Sequence, residues 1–276
     1  MSTMNCKICS SVSLPVLKRR CLGKYEVNYF RCGSCGFMQT ESPYWLKEAY
    51  AEAISEMDVG LAYRNQEMLA PTANLANHLF GNGGRFLDYG GGFGLFTRLM
   101  RDRGFEFFRQ DQYCQNLFAS YFDVTSSSDH RFDMLTAFEV FEHLEQPKEE
   151  IKRMFAFSDI LFFSTEIQPE TNLEDWWYLT PESGQHIAFY TLESFRRIAK
   201  EMDCSFYSNG FNLHLLSKKP LFKSEIEFRK LILPEGLMKT IQMKILRKLG
   251  WKPADGRASL MMKDFDFIRS EMKRNS

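Results

Sequence analysis

The stretch Arg85-Phe-Leu-Asp88-Tyr-Gly90-Gly-Gly92-Phe-Gly94 decides how this chain is read. An apolar run over 85–89 meets glycines at alternate positions, and helical spacing then continues from Gly94 to about Arg103. Glycine lets a backbone turn sharply and approach a ligand closely, and the helix beyond it offers free amide donors. The spacing is D-x-G-x-G-x-G. A dinucleotide fingerprint, G-x-G-x-x-G, would need its third glycine where Leu95 or Thr97 stands, and no G-K-[ST] exists for a Walker loop. A pyrophosphate ligand is therefore disfavoured.

Outward from this turn, apolar strands alternate with helical segments. Strands are expected at 105–110, 132–138 and 160–164, and helices at 147–157 and 191–202, the last with Thr191 as N-cap. Such alternation predicts an α/β fold with a doubly wound, mostly parallel sheet. Asn209-Gly210 between two apolar runs predicts a closing two-residue hairpin, so the sheet should end in an antiparallel pair. Residues 44–80 read as a helical linker or cap, with Pro71 marking a break or a new helix start, and Ser126 to Ser128 as a loop. The expected division is 1–43, 44–80, 81–220 and 221–276.

Cys6 and Cys9 form one C-x2-C pair and Cys32 and Cys35 another, with 22 residues between the pairs. Short extended runs and turn residues around them give a zinc ribbon pattern. So short a segment buries too little apolar surface to fold alone, and four thiolates around a structural zinc supply the missing stability. Iron in a rubredoxin-like site has the same ligand spacing. Four thiolates leave no open position for chemistry, which favours a structural role.

Phe86 to Gly94 resembles the first motif of class I S-adenosylmethionine-dependent methyltransferases, and the resemblance extends over roughly residues 81 to 220. It implies a seven-stranded-type, Rossmann-like sheet. It also implies that Asp88 lies near the donor's amino group, that Gly90, Gly92 and Gly94 pass under the donor, and that Asp111 accepts hydrogen bonds from both ribose hydroxyls. A carboxylate can accept two such bonds at once. Only 21 residues separate Asp111 from Asp133, so that stretch is abbreviated, and within it Asp123 is a weaker candidate to face the adenine.

Past the fourth strand comes Glu139-Val-Phe-Glu142-His143. If the chain is helical there, both carboxylates and the imidazole share one face, and His186 lies on a loop expected to overhang the same cleft. This E-x-x-E-H set with a distant His is similar to the divalent-metal site of the small-RNA 2'-O-methyltransferases, and its core resembles the ubiquinone-pathway O-methyltransferases. Glu139, Glu142, His143 and His186 are thus candidate ligands for magnesium, manganese, iron or zinc, and Glu142, His143 and His186 candidate catalytic groups. In a metal-free reading His143 is a general base or orients the donor. Trp176, Trp177 and Tyr178 are read either as a stacking platform or as lid packing, and Glu166 as a further acceptor-site group.

Lys and Arg outnumber Asp and Glu by 15 to 7 after residue 216, while the chain as a whole carries zero net charge. The tail is therefore a candidate anion-facing surface, with an amphipathic set at Leu237, Ile241, Ile245 and Leu249 that suits an inner membrane face or docking on the core. The composition, with 26 Phe among 276 residues, excludes wholesale disorder. No apolar run approaches the roughly 18–20 residues of a membrane span, and Met1 to Ser10 does not read as a signal peptide, so a cytoplasmic protein is expected. The layout resembles bacterial methyltransferases of sugar and surface polysaccharide biosynthesis. That implies methyl transfer to a hydroxyl of a nucleotide-linked or lipid-linked glycosyl acceptor. The alternatives are a metal-free sugar C-methyltransferase with a His base, an RNA methyltransferase, and a non-catalytic zinc-ribbon interaction protein. Overall neutrality and the lack of a basic-aromatic stripe argue against nucleic acid, and the intact glycines with Asp88 and Asp111 argue against a degenerate domain.

Overall fold

Alternating buried and exposed residues over 12–32 make a hairpin, and continuous apolar runs from residue 85 onward make strands buried on both faces. The computed structural model describes residues 3–51, 58–124, 131–233, 266, 267, 269, 270 and 274. The N-terminal part contributes β1 (Met4–Asn5), β2 (Val12–Cys21), β3 (Tyr25–Cys32) and β4 (Met38–Thr40). Helices α1 (Leu46–Ala49) and α2 (Leu61–Phe80) follow, then β5 (Arg85–Tyr89), α3 (Leu95–Asp102), β6 (Glu106–Gln110) and β7 (Met134–Phe138). The rest is α4 (Pro147–Phe157), β8 (Ile160–Ser164), β9 (Ala188–Phe189), α5 (Leu192–Glu201), β10 (Ser205–Ser208), β11 (Leu213–Ser217) and α6 (Glu225–Ile232).

The central sheet has the order β10-β11-β8-β7-β5-β6; the last four are parallel, and β11 runs antiparallel to both neighbours. This is the doubly wound sheet with a closing antiparallel pair. It has six strands among the described residues. The abbreviated stretch after Asp111 adds only a bridge between Arg109 and Asp123. Residues 125–130, with the serine run, and the amphipathic set from Leu237 to Leu249 lie outside the described residues.

Three expectations change. The closing hairpin is not a two-residue Asn-Gly turn: Ser208 pairs with His214, and the Asn209 side-chain oxygen accepts from the amides of Phe211, Asn212 and Leu213. One Asn oxygen thus satisfies three turn donors, which makes the wider loop favourable. Pro71 does not break α2, because burial of Leu69, Pro71, Thr72 and Leu75 on its packed face outweighs one lost backbone bond. α2 is also more than a linker, since it packs beside α3 and α6 against the sheet.

The N-terminal sheet does not close on itself. Its order is β1-β2-β3-β4-β9, so a strand from beyond residue 187 completes it, with Met38 opposite Phe189 and Gln39 opposite Ala188. Cys6, Ile8, Cys32, Cys35 and Phe37 share one apolar cluster with Leu87, Phe141, Phe163, Tyr190 and Phe195 of the larger sheet and its helices. No helix among the described residues is long and apolar enough to cross a membrane.

Phe37 is fully buried, and its ring centroid lies 5.0 Å from that of Tyr190. Truncating a buried Phe to Ala costs about 3–5 kcal/mol. Phe37→Ala should therefore lower the urea midpoint of the whole chain in one transition, read by near-ultraviolet circular dichroism. A separate early loss confined to the ribbon would contradict a shared core.

Candidate functional site

The glycine turn is built as its sequence demands. Gly90, Gly92 and Gly94 have φ of +67°, +53° and +85°, a region that side chains with a Cβ rarely adopt. Space is equally restrictive, for a Cβ on Gly90 would sit 2.7 Å from Val140 and one on Gly91 2.6 Å from the Asp88 carboxylate. Asp88 lies beneath the turn, almost fully buried, and accepts hydrogen bonds from the hydroxyls of Thr136 (3.1 Å) and Thr97 (3.2 Å). Burial pushes its pKa up to about 7. Its oxygens point into the protein, so it supports the turn from below.

A residue that the motif does not signal holds the turn from the other side. Arg109, on β6 and 3% exposed, donates through Nε to the Gly92 carbonyl (2.6 Å), through Nη1 to Asp123 (2.6 Å) and through Nη2 to the Cys114 carbonyl (2.5 Å). Asp123 is thereby tied to Arg109 through one oxygen and to Asn116 through the other. The only hint in the sequence was an arginine directly after the two phenylalanines of the edge strand β6. Asp111 accepts from the Gly92 amide (2.9 Å) with one oxygen and from the amides of Tyr113 and Cys114 (2.8 Å each) with the other. It links the glycine turn to the loop after β6, where a donor's ribose would lie.

At the end of β7 the chain turns through Glu139, whose φ is +53°, and forms a short 3-10 turn over Phe141–His143 instead of an α-helix. This separates the expected ligands. Glu139 is held elsewhere, by the Ser164 hydroxyl (2.6 Å) and the Tyr178 hydroxyl (3.3 Å), with Arg64 at 4.0 Å. Glu142, His143 and His186 do converge, each offering one ligand atom, with these atoms within 4.8 Å of one another. The expected set of four therefore becomes a cluster of three.

The protonation of this trio follows from its partners. Nδ1 of His143 lies 3.1 Å from the Gln185 carbonyl, and Nδ1 of His186 lies 2.6 Å from the Tyr178 carbonyl. A carbonyl only accepts, so the hydrogen of His186 sits on Nδ1; at His143 the Gln185 carbonyl favours the same tautomer, with the Tyr50 hydroxyl also 2.9 Å from Nδ1. Burial lowers the pKa of His143 to about 4 and of His186 to about 3, so both are neutral near pH 7. Glu142 is fully buried, and neither of its oxygens has a hydrogen-bond partner. Burial and the charge of Glu139 push its pKa well up, while the hydroxyls of Tyr178 and Thr165 favour its charged form without reaching good hydrogen-bond geometry. An unpartnered buried carboxyl and two neutral imidazoles, each with one ligand atom in reach of the others, are groups that could hold a cation together.

Around the trio, only Trp177 of the aromatic run is exposed, at 58%. Trp176 packs against Phe189, and Tyr178 is buried against His186. Glu166 is half-buried, its pKa pushed up to about 7 by burial and by Glu139. In the ribbon, Cys6 to Cys35, Cys9 to Cys32 and Cys9 to Cys35 are 3.6, 3.4 and 3.5 Å apart, and all four sulfurs lie within 4.8 Å. A tetrahedral zinc with bonds of about 2.3 Å needs sulfurs roughly 3.8 Å apart, so the four fit one ion. Amides of Ile8, Ser34 and Cys35 point at the sulfurs and would stabilise thiolates.

A parallel sheet with a glycine turn after its first strand and an antiparallel closing pair defines the Rossmann-like methyltransferase architecture. A family profile described as "Methyltransferase domain" matches residues 61–208, more than half of the chain, and the chain belongs to that family. No curated protein is significantly similar in sequence. Among solved structures, an O-methyltransferase family 2 protein of Planctomyces limnophilus, in complex with apigenin, is 15% identical with a TM-score of 0.43; 62% of this chain and 66% of that one are covered. The plantazolicin methyltransferase BpumL, solved with S-adenosylhomocysteine and a substrate analogue, is 13% identical at a TM-score of 0.47, covering 72% of this chain and 87% of that one. The 1,6-didemethyltoxoflavin-N1-methyltransferase of Burkholderia thailandensis is 13% identical at 0.46, covering 70% and 96%. Likeness at this level does not bear on the acceptor.

Two substitutions probe the turn. Gly90→Ala should abolish S-adenosylhomocysteine binding measured by calorimetry, whereas Gly33→Ala, where a Cβ meets nothing within 4 Å, should leave it intact. Asp88→Asn tests the buried acid. Between about pH 4 and 7 the unfolded chain is ionised at Asp88 while the folded one is protonated, so this group costs stability as pH rises through that window. The variant should equal wild type near pH 4 and exceed it by about 2–4 kcal/mol above pH 7 in urea titrations.

Proposed function

We propose that the protein transfers the methyl group of S-adenosylmethionine to a hydroxyl of a sugar or glycan acceptor, beside a divalent cation held by Glu142, His143 and His186. The observation that carries this reading is the convergence of two neutral imidazoles and an unpartnered buried carboxyl on one point. A divalent cation there would lower the pKa of a bound hydroxyl and direct it at the sulfonium methyl. The chain's own residues supply the rest. The glycine turn takes a backbone path closed to other residues, Asp111 keeps accepting capacity for one ribose hydroxyl beyond its three amide partners, and the carbonyls of Gln185 and Tyr178 aim the two imidazoles. Cys6, Cys9, Cys32 and Cys35 hold a structural zinc.

The sugar acceptor rests on the sequence resemblance, and two features are compatible with it. Trp177 offers an exposed aromatic face near the trio, suited to the apolar side of a pyranose. The excess of basic residues after 216 suits the phosphate of a nucleotide-linked or lipid-linked sugar, at a cytoplasmic site or the inner membrane face. His143 or His186 as a free base on a carbon acid is the competing chemistry, and it needs no cation.

Metal analysis and turnover separate the two. The purified protein should retain about one zinc per chain through the cysteines and bind a second, exchangeable ion that Glu142→Gln weakens by about 10–100-fold in manganese titrations. Turnover on a panel of nucleotide-linked and lipid-linked sugars, followed by mass spectrometry, should fall with chelator and return with added ion. Full turnover after chelation would overturn the cation and leave the base mechanism.

A further inference from the structure

Tyr50 is the residue that follows α1, so it belongs to the N-terminal segment and not to the sheet that carries the glycine turn. Its position is fixed from both sides in sequence and space. The Trp45 indole donates to the Gly184 carbonyl (2.8 Å), and the Gln185 side chain donates to the Ala49 carbonyl (2.8 Å). These bonds lay the end of α1 along the loop that carries His186. The Tyr50 phenol then lies 2.9 Å from Nδ1 of His143, so that the Nδ1 hydrogen is shared between the phenol oxygen and the Gln185 carbonyl. The other contact of the ring points away from the trio. It stacks on Tyr113, with centroids 5.6 Å apart and planes 17° from parallel.

Tyr113 is the exposed residue two positions beyond Asp111, and its amide is one of the donors that Asp111 accepts. One aromatic side chain from the N-terminal segment thus bridges the loop expected to hold the ribose and the imidazole expected to face the acceptor. We propose that Tyr50 is a positioning residue that couples donor binding at the Asp111–Tyr113 loop to the orientation of His143. This rests on the donor site of the proposed function and does not require the cation. The physical path is short. A donor that settles against Asp111 and Tyr113 fixes one ring of the stack, the stack fixes the phenol, and the phenol fixes the rotation of an imidazole whose other restraint is a single carbonyl. Loss of the hydroxyl would leave the stack in place, and loss of the Tyr113 ring would leave the hydroxyl in place, so the two halves of the bridge are separable.

The test uses full-length protein labelled with 15N-histidine, S-adenosylhomocysteine as the probe, and His143→Gln to assign the His143 imidazole signals among the five histidines. Adding the probe to wild type should move the His143 signals. In Tyr50→Phe the probe should bind with unchanged affinity by calorimetry while the His143 response falls by at least half. Tyr113→Leu should weaken probe binding and also mute the response, which controls for a Tyr50 variant that fails to fold. With an acceptor in hand, Tyr50→Phe should lower kcat by about 10-fold at unchanged KM for the donor, a split that a purely structural role would not give. An equal His143 response in Tyr50→Phe, or an unmoved His143 in wild type that does bind the probe, overturns the inference alone. Wild type that does not bind the probe overturns the donor site and the inference together.

Discussion

The pairing of β4 with β9 is the constraint on which the rest of the molecule depends. It is only two residue pairs long, yet it joins the ribbon to the loop that carries His186. The Thr40 amide donates to the Ile187 carbonyl (3.1 Å), and the Ile187 amide donates to the Glu142 carbonyl (2.9 Å). A continuous chain of backbone hydrogen bonds therefore runs from the ribbon edge through the His186 loop to the turn that bears Glu142 and His143. Ile187 is buried, and leaving its amide or carbonyl unpaired there would cost as much as a lost hydrogen bond at each. The Gly36 carbonyl accepts from the Gln168 side chain (2.7 Å) and the Cys35 carbonyl from the Thr191 hydroxyl (2.6 Å), so the cysteine knuckle is itself tied to the flanks of β9. The ribbon is in effect one wall of the site.

The glycine turn solves a different problem, that of holding a backbone loop open where no side chain fits. Asp88 and Arg109 flank it from opposite sides and do not form an ion pair with one another. Asp88 accepts from two threonine hydroxyls, which favour its charged form, but full burial outweighs them and raises its pKa to about 7. The Gly92 carbonyl, the Asp123 carboxylate and the Cys114 carbonyl all meet the Arg109 guanidinium plane. The planar fork fixes the Gly92 carbonyl relative to Cys114 and Asp123, so the turn and the loop after β6 move as one body. Asp111 fastens the same two segments through amides. The loop is thus preorganised by charge-assisted bonds, and the glycines themselves contribute only permission.

The sheet was legible in the sequence because β5, β7 and β8 are predominantly apolar, and because Thr191 and Pro147 mark helix starts that the structure keeps. The cysteine pairs were legible by spacing. What escaped was long-range or conformational. That β9 would join the ribbon could not be seen, because a two-residue strand carries no periodicity. Glu139 resembled a ligand by its spacing on a helix, but a left-handed residue and a 3-10 turn redirect it to Ser164 and Tyr178. Trp176 and Tyr178 suited a platform or packing equally well by sequence, and their contacts with Phe189 and His186, which only three-dimensional neighbours reveal, favour packing. Arg109 and Tyr50 act through partners far away in the chain, which no local pattern encodes.

The electrostatics of the trio narrow what can complete it. A proton on Glu142 would neutralise the carboxyl, but a single O–H can be donated to only one of the two imidazoles, and one Nε2 lone pair would stay unmet. Protonating an imidazole is opposed by the same burial that lowers the pKa of both rings. Moving a ring's hydrogen from Nδ1 to Nε2 would leave an Nδ1 lone pair facing the Gln185 or Tyr178 carbonyl, two acceptors in contact. The hydrogen bonds that aim the rings therefore also prevent the trio from satisfying itself internally. Glu142 is buried while both imidazoles are partly exposed, so whatever completes the trio reaches it from the side of the two rings; the cation proposed above would draw on all three donors at once.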